Sequence, residues 1–222
     1  MIDSFKFFSF FNDIILIVEG IVMIEISLVI NLIIVICEFI TLLHIKGKVN
    51  ILKYYTYLQN LIALLVSLIY SICVIICLVT GSVIPDVIKG LRYIATTGLI
   101  STMFIFIVFL GAGKKVSITQ DDFIRGFNYK LANAMLHYIC PILSLISFVV
   151  FERQIILENG IWTMLVAIPS CLYWLVYVVL SATKAWKEPY NFTSKNKILE
   201  VLTYIFIPVS FIVLSFIIWN IK

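Results

Sequence analysis

Residues 55–79 read YTYLQNLIALLVSLIYSICVIICLV, a stretch without a single charged side chain. At about 1.5 Å of rise per residue, a helix of this length crosses the roughly 30 Å of hydrocarbon in a bilayer. Its polar residues are not scattered. Thr56, Gln59, Asn60, Ser67 and Ser71 lie 3, 4, 11 and 15 residues from the first of them, so they share one helical stripe. A polar stripe facing lipid is costly, so this one is expected to turn toward other helices.

Five further apolar runs flank that segment, at Ile21–Leu43, Leu91–Leu110, Leu131–Phe151, Ile161–Thr183 and Val201–Ile221. The breaks between them are chemically plain. They are Lys46-Gly47-Lys48, Gly81 to Lys89 with Pro85, Gly111 to Lys130, Glu152 to Gly160, and Lys184 to Glu200 with Pro189. Only 13% of the 222 residues are charged and 63% are hydrophobic, with a mean hydropathy of +1.14. A water-soluble domain needs far more polar surface than this. The expected fold is all-α: one domain, residues 1–222, built as a polytopic bundle of six transmembrane helices. No internal repeat is visible. The lead-in Met1–Asp13, with five Phe around Lys6, reads as an aromatic interface segment. No cleavable signal is expected, because Glu19 and Glu25 interrupt the first run and no small-residue cleavage site follows it.

Lys and Arg set the expected orientation. Loops 44–54, 111–130 and 184–200 with their edges hold 11 of them, against 5 on the opposite side with both termini. The positive-inside bias predicts a cell-membrane protein with those three loops cytoplasmic and both termini outside. The basic residues form no continuous stripe, so nucleic acid is not an expected partner. Each of Cys37, Cys73, Cys77, Cys140 and Cys171 sits inside an apolar run. None has a zinc or redox spacing, and neither a metal, a cofactor nor a disulfide framework is expected.

The fourth run carries a second polar stripe, Asn133, His137, Cys140, Ser144 and Ser147. The two stripes are expected to face each other. Thr56 lies in the first turns after loop one and His137 in the early turns after loop three, so an antiparallel bundle sets them at similar depth. A hydroxyl and an imidazole at one depth are a candidate nucleophile and general base. The bland alternative for Thr56 is a hydroxyl bonded to its own helix. An imidazole inside the membrane points more strongly to function. Gln59, Asn60 and Asn133 are candidate donors to an oxyanion. Glu38, on one face with Asn31 in the first run, is placed either to orient His137 or to pair with Lys46 or Lys53 by snorkelling, the second being the simpler role. Trp186, Pro189 and Tyr190 suit interface anchoring and, on the same side, a roof over the site. Cys140, three residues from His137, is a further candidate thiol for acyl transfer, although a buried thiol is usually inert.

Three ordered motifs resemble a known family. Lys53-Tyr54-Tyr55-Thr56-Tyr57-Leu58-Gln59-Asn60 resembles the opening of span two in the androgen-induced protein family of six-helix membrane hydrolases. Leu136-His137-Tyr138-Ile139-Cys140-Pro141 is similar to that family's His-containing fourth span. Trp186, Pro189, Tyr190 and Phe192 resemble the aromatic segment before the last span of its bacterial relatives. Lys187-Glu188 departs from the aromatic residues usual there, and one residue fewer separates His137 from Pro141 than in animal members. The resemblance implies a hydrolase of fatty-acid esters with Thr56 as nucleophile and His137 as base, acting on a membrane lipid or fatty-acid ester without a cofactor. The competing expectation is a non-catalytic membrane protein, such as a small transporter, a lipid-binding scaffold or a partner subunit.

Overall fold

The computed structural model describes residues 2–46, 54–110, 128–152, 161–185 and 197–221. It is an all-α bundle. Helix α1 is Ile2–Leu43, α2 is Tyr55–Thr80, and α3 is Asp86–Ile105, extended by a π-helical turn at Phe106–Leu110. Helix α4 runs over Tyr129–Phe151, α5 is Ile161–Ala182 and α6 is Lys197–Ile221. Among the described residues, six segments are long and apolar enough to span a membrane: Gly20–Leu43, Tyr55–Thr80, Asp86–Val108, Tyr129–Phe151, Trp162–Ala182 and Val201–Ile221. In hydrocarbon a spanning backbone must bond to itself, which is why such runs become helices. The aromatic lead-in belongs to α1, an unbroken helix of 42 residues and thus about 63 Å long, twice the hydrocarbon depth.

The helix ends follow local chemistry. Gly81 closes α2 in the left-handed region at φ 69°, its N–H donating to Cys77 O at 2.8 Å. Pro85 precedes α3 with extended backbone, and Asp86 places an acid at the positive end of the helix. Helix α3 therefore starts five residues before the apolar run at Leu91. Arg92, counted above among the charges outside the membrane, is drawn into the bundle and is fully buried. The Asn128 side chain accepts from the N–H groups of Lys130 and Leu131 at the start of α4.

Helix α3 is the hub, packing against α2, α4, α5 and α6. Two-thirds of its spanning window is buried, yet its mean hydropathy of 1.7 is the lowest of the six. The first span shows the reverse, at 17% buried and 2.7. Lipid-facing positions must be apolar, while a position surrounded by protein need only be satisfied. Most residues of the two expected polar stripes are buried, with Asn133 half-buried. Deeper in the bundle they meet through α3. Arg92 Nη1 lies 3.5 Å from both Ser67 Oγ of α2 and Ser144 Oγ of α4, and Thr96 Oγ1 lies 2.9 Å from Ser144 Oγ.

Candidate functional site

At the end of the bundle where α2 begins, Tyr57 packs in one cluster with Leu42 of α1 and with Ala132 and Leu136 of α4. A turn or two deeper, Ala63 and Val66 share a cluster with Cys140 and the partly buried Cys37 and Ile62. Thr41 Oγ1 of α1 donates to Met135 Sδ of α4 at 3.4 Å. These contacts fix the register of three neighbouring helices. They set Glu38, Asn60 and His137 at one level, each with no exposed surface.

His137 owes its placement to a local irregularity. Pro141 has no N–H to bond the His137 carbonyl, and its ring crowds that oxygen. The chain answers with a π-helical turn over Met135–Ile139, closed by the Cys140 N–H on Met135 O. The imidazole then stacks on Phe106 of α3, with ring centroids 4.0 Å apart and planes at 22°. Phe106 in turn shares a core cluster with Tyr55. Tyr55, next to Thr56, thus belongs to the cluster of the ring that covers His137, and Tyr57 to the cluster of Leu136, the residue before it. Thr56 itself is 4% exposed. No hydrogen bond joins the pair, since neither ring nitrogen of His137 has a partner among the described residues.

The remaining candidates gather around them. Asn60 Nδ2 donates to Thr56 O at 2.7 Å. Gln59 Nε2 makes a long bond of 3.4 Å to Ser170 Oγ of α5, which also lies 2.7 Å from Tyr55 Oη. Gln59 can reach across α3 because residue 98 is glycine; a Cβ there would overlap Gln59 Oε1. Sequence reading gave Gly98 and Ser170 no role, and neither has a signature at that level. The expected pairing of Glu38 with Lys46 is not formed: Glu38 is fully buried, whereas Lys46 is exposed. Nor does Glu38 bond to His137; it lies beside the Cys37 and Cys140 thiols. Cys140 is fully buried, with Ala63 and Val66 in its cluster and Glu38 beside it. Lys53, Trp186, Pro189 and Tyr190 lie outside the described residues. Buried oxygens of Gln59, Asn60, Thr97 and Asn133 have no partner among the described residues. So many orphaned acceptors in one half of a bundle mark a polar compartment rather than a packing core.

The other half holds a polar centre that the sequence did not announce. Arg92 and Glu152 form a fully buried pair, with Nη2 to Oε1 at 2.8 Å and Nε to Oε2 at 3.2 Å. Glu152 is the first residue beyond the fourth span. A second π-helical turn over Ser147–Phe151 swings it inward, where Ser147 Oγ donates to it at 2.7 Å and Asn31 Nδ2 at 3.2 Å. The Arg92 guanidinium lies over the Tyr70 ring at 5.4 Å. Burial pushes the Glu152 carboxyl up, but the Arg92 guanidinium and the bonds from Arg92, Ser147 and Asn31 outweigh this and hold it below the ordinary carboxylate range. Above the pair a cleft of about 300 Å³ opens between the middle of α1, the ends of α2 and α4 and the start of α3, with Tyr70 and Glu152 in its lining.

Comparison with protein-family profiles, with curated proteins and with solved structures finds no match to this chain.

Proposed function

We propose that the chain is a membrane-embedded hydrolase of a fatty-acid ester, with Thr56 as nucleophile and His137 as general base. The observation that carries this reading is the unpartnered imidazole. His137 is fully buried, neither nitrogen has a partner among the described residues, and its ring stacks on Phe106, which shares a core cluster with Tyr55 next to Thr56. A histidine with only a structural role would be expected to hold a fixed hydrogen bond at such a depth. In the proposed reaction His137 accepts the Thr56 proton as Oγ attacks the ester carbonyl, then returns it to the departing alcohol. Water hydrolyses the acyl-threonine by the same route. Gln59 Nε2, held only by a long bond, is the freest donor for the oxyanion; Asn60 Nδ2 is committed to Thr56 O. Catalytic hydrogen bonds are often open until substrate arrives, so the missing Thr56–His137 bond is compatible with this role.

That missing bond is also the observation that favours a second reading, in which the compartment belongs to a non-catalytic transporter, scaffold or partner subunit. Labelling by a fluorophosphonate probe in native membranes separates the two. The hydrolase reading expects Thr56→Ala to abolish labelling and His137→Ala to slow it by about 10²–10⁴-fold. Labelling that persists in Thr56→Ala, or that is missing from the wild-type protein with every probe chain length tried, selects the second reading.

A further inference from the structure

The cleft at the far end of α2 is separate from the compartment around Thr56. Thr56 and Cys77, the latter in the cleft lining, are 21 residues apart on one helix, or about 31 Å. The walls are apolar, formed by Ile21, Ile24, Leu78, Val83 and Ile84. Ile21 in the lining and Val79 next to Leu78 are 44% and 81% exposed, and both belong to membrane-spanning helices, so the rim continues into lipid-facing surface. Among the described residues, two charged groups line the cleft. Glu152 on the floor is neutralised by Arg92, which leaves Lys89 to set the sign of the site. Its side chain is only 15% exposed and is tied to Asp86 at 2.8 Å, but Asp86 is 76% exposed and well solvated. Such a pair is worth at most about 1 kcal/mol, so a better-placed carboxylate exchanges with Asp86 readily.

We propose that this cleft binds a long-chain fatty acid, with its carboxylate on Lys89 and the first part of its chain along Ile24, Leu78 and Ile84. An apolar rim open to the bilayer favours a ligand already dissolved in lipid over a soluble anion. A single ammonium matches one negative charge, whereas a phosphate headgroup usually draws several donors or an Arg fork. A volume at the small end of the roughly 300–1,000 Å³ typical of ligand pockets suits one chain and excludes a two-chained phospholipid.

The test uses the full chain in phosphatidylcholine nanodiscs and a palmitic acid carrying a diazirine near its carboxylate, with the labelled peptides mapped by mass spectrometry. Label is expected on residues 78–84 and around Ile21–Ile24, and excess oleate should compete it away. Lys89→Gln should lower labelling about tenfold, equivalent to roughly 1.4 kcal/mol. Lys89→Arg should retain it, and Ile84→Trp, on a different wall, should block it. Thr56→Ala should label like wild type, which keeps this result independent of the hydrolase reading. Three results overturn the proposal: label spread evenly over lipid-facing positions such as Leu68, Ile72 and Ile75; label unmoved by both Lys89→Gln and Ile84→Trp; or an amine-headed probe of equal chain length that labels as strongly.

Discussion

A guanidinium buried in a bundle surrounded by hydrocarbon must be paired and hydrogen-bonded, or it costs several kcal/mol. Arg92 meets that condition through Glu152, through Ser67 and Ser144 at longer range, and through the face of Tyr70. Glu152 receives Ser27, Asn31 and Ser147 besides. Side chains from α1, α2, α3 and α4 thus converge on one ion pair, which acts as a clamp on that half of the molecule. Arg92→Met should cost about 3–5 kcal/mol, because it leaves a buried carboxylate uncompensated. Adding Glu152→Gln should recover at least about 1 kcal/mol, since the amide carries no charge and can still accept from Ser147 and Asn31. Reversible unfolding in mixed micelles with SDS measures both. A double variant no more stable than Arg92→Met would show that charge is not what the clamp stores. The pair was hard to read from sequence for a physical reason: Arg92 and Glu152 stand at the edges of apolar runs, where charges normally lie in water. His137 and Asn60 stood out as candidates because they interrupt such runs from within.

Span positions were mostly readable, because hydrocarbon thickness dictates length and few residues can stand in lipid. The irregularities inside the helices were not. Both π-helical turns of α4 aim a functional candidate, one at His137 and one ending at Glu152. Pro141 was visible in the sequence, but proline predicts a disturbance without saying whether it kinks or widens the helix. The structure resolves it as a widening, which inserts one residue into the turn that carries His137. Pro141→Ala restores an N–H able to bond the His137 carbonyl and allows an ordinary α turn. Losing that extra residue would rotate the start of α4 relative to the remainder by about 100°. Stability should hold or rise, because an interior proline costs a helix about 3 kcal/mol. Probe labelling at Thr56 should nonetheless fall at least about tenfold, as the imidazole leaves its place on Phe106. Unchanged labelling would mean that the π turn is incidental to the site.

At the scale of the whole molecule the sequence reading missed how α3 is used. Its Arg92, Thr96, Thr97, Ser101 and Thr102 were given no role, yet this is the helix most enclosed by the others. Hydropathy reports contact with lipid, so it is least informative for a helix that lipid scarcely touches. Burying Arg92 also alters the charge count behind the expected orientation, and in its favour. Once Arg92 is taken out of the aqueous tally, the side with the termini keeps four Lys and Arg against the same 11 on loops one, three and five. The expected topology therefore places Ser82 and the fatty-acid cleft outside, with Lys46 and the Thr56 compartment toward the cytoplasm. Both Ser82 and Lys46 are exposed, so each can report on its side. In a Cys77→Ser background, which removes the native thiol lining the cleft, Ser82→Cys should react with a membrane-impermeant maleimide added to intact cells. Lys46→Cys should react only after the membrane is opened. The reverse pattern would invert the protein, and with it the side from which water reaches an acyl-threonine and the leaflet from which a fatty acid enters the cleft.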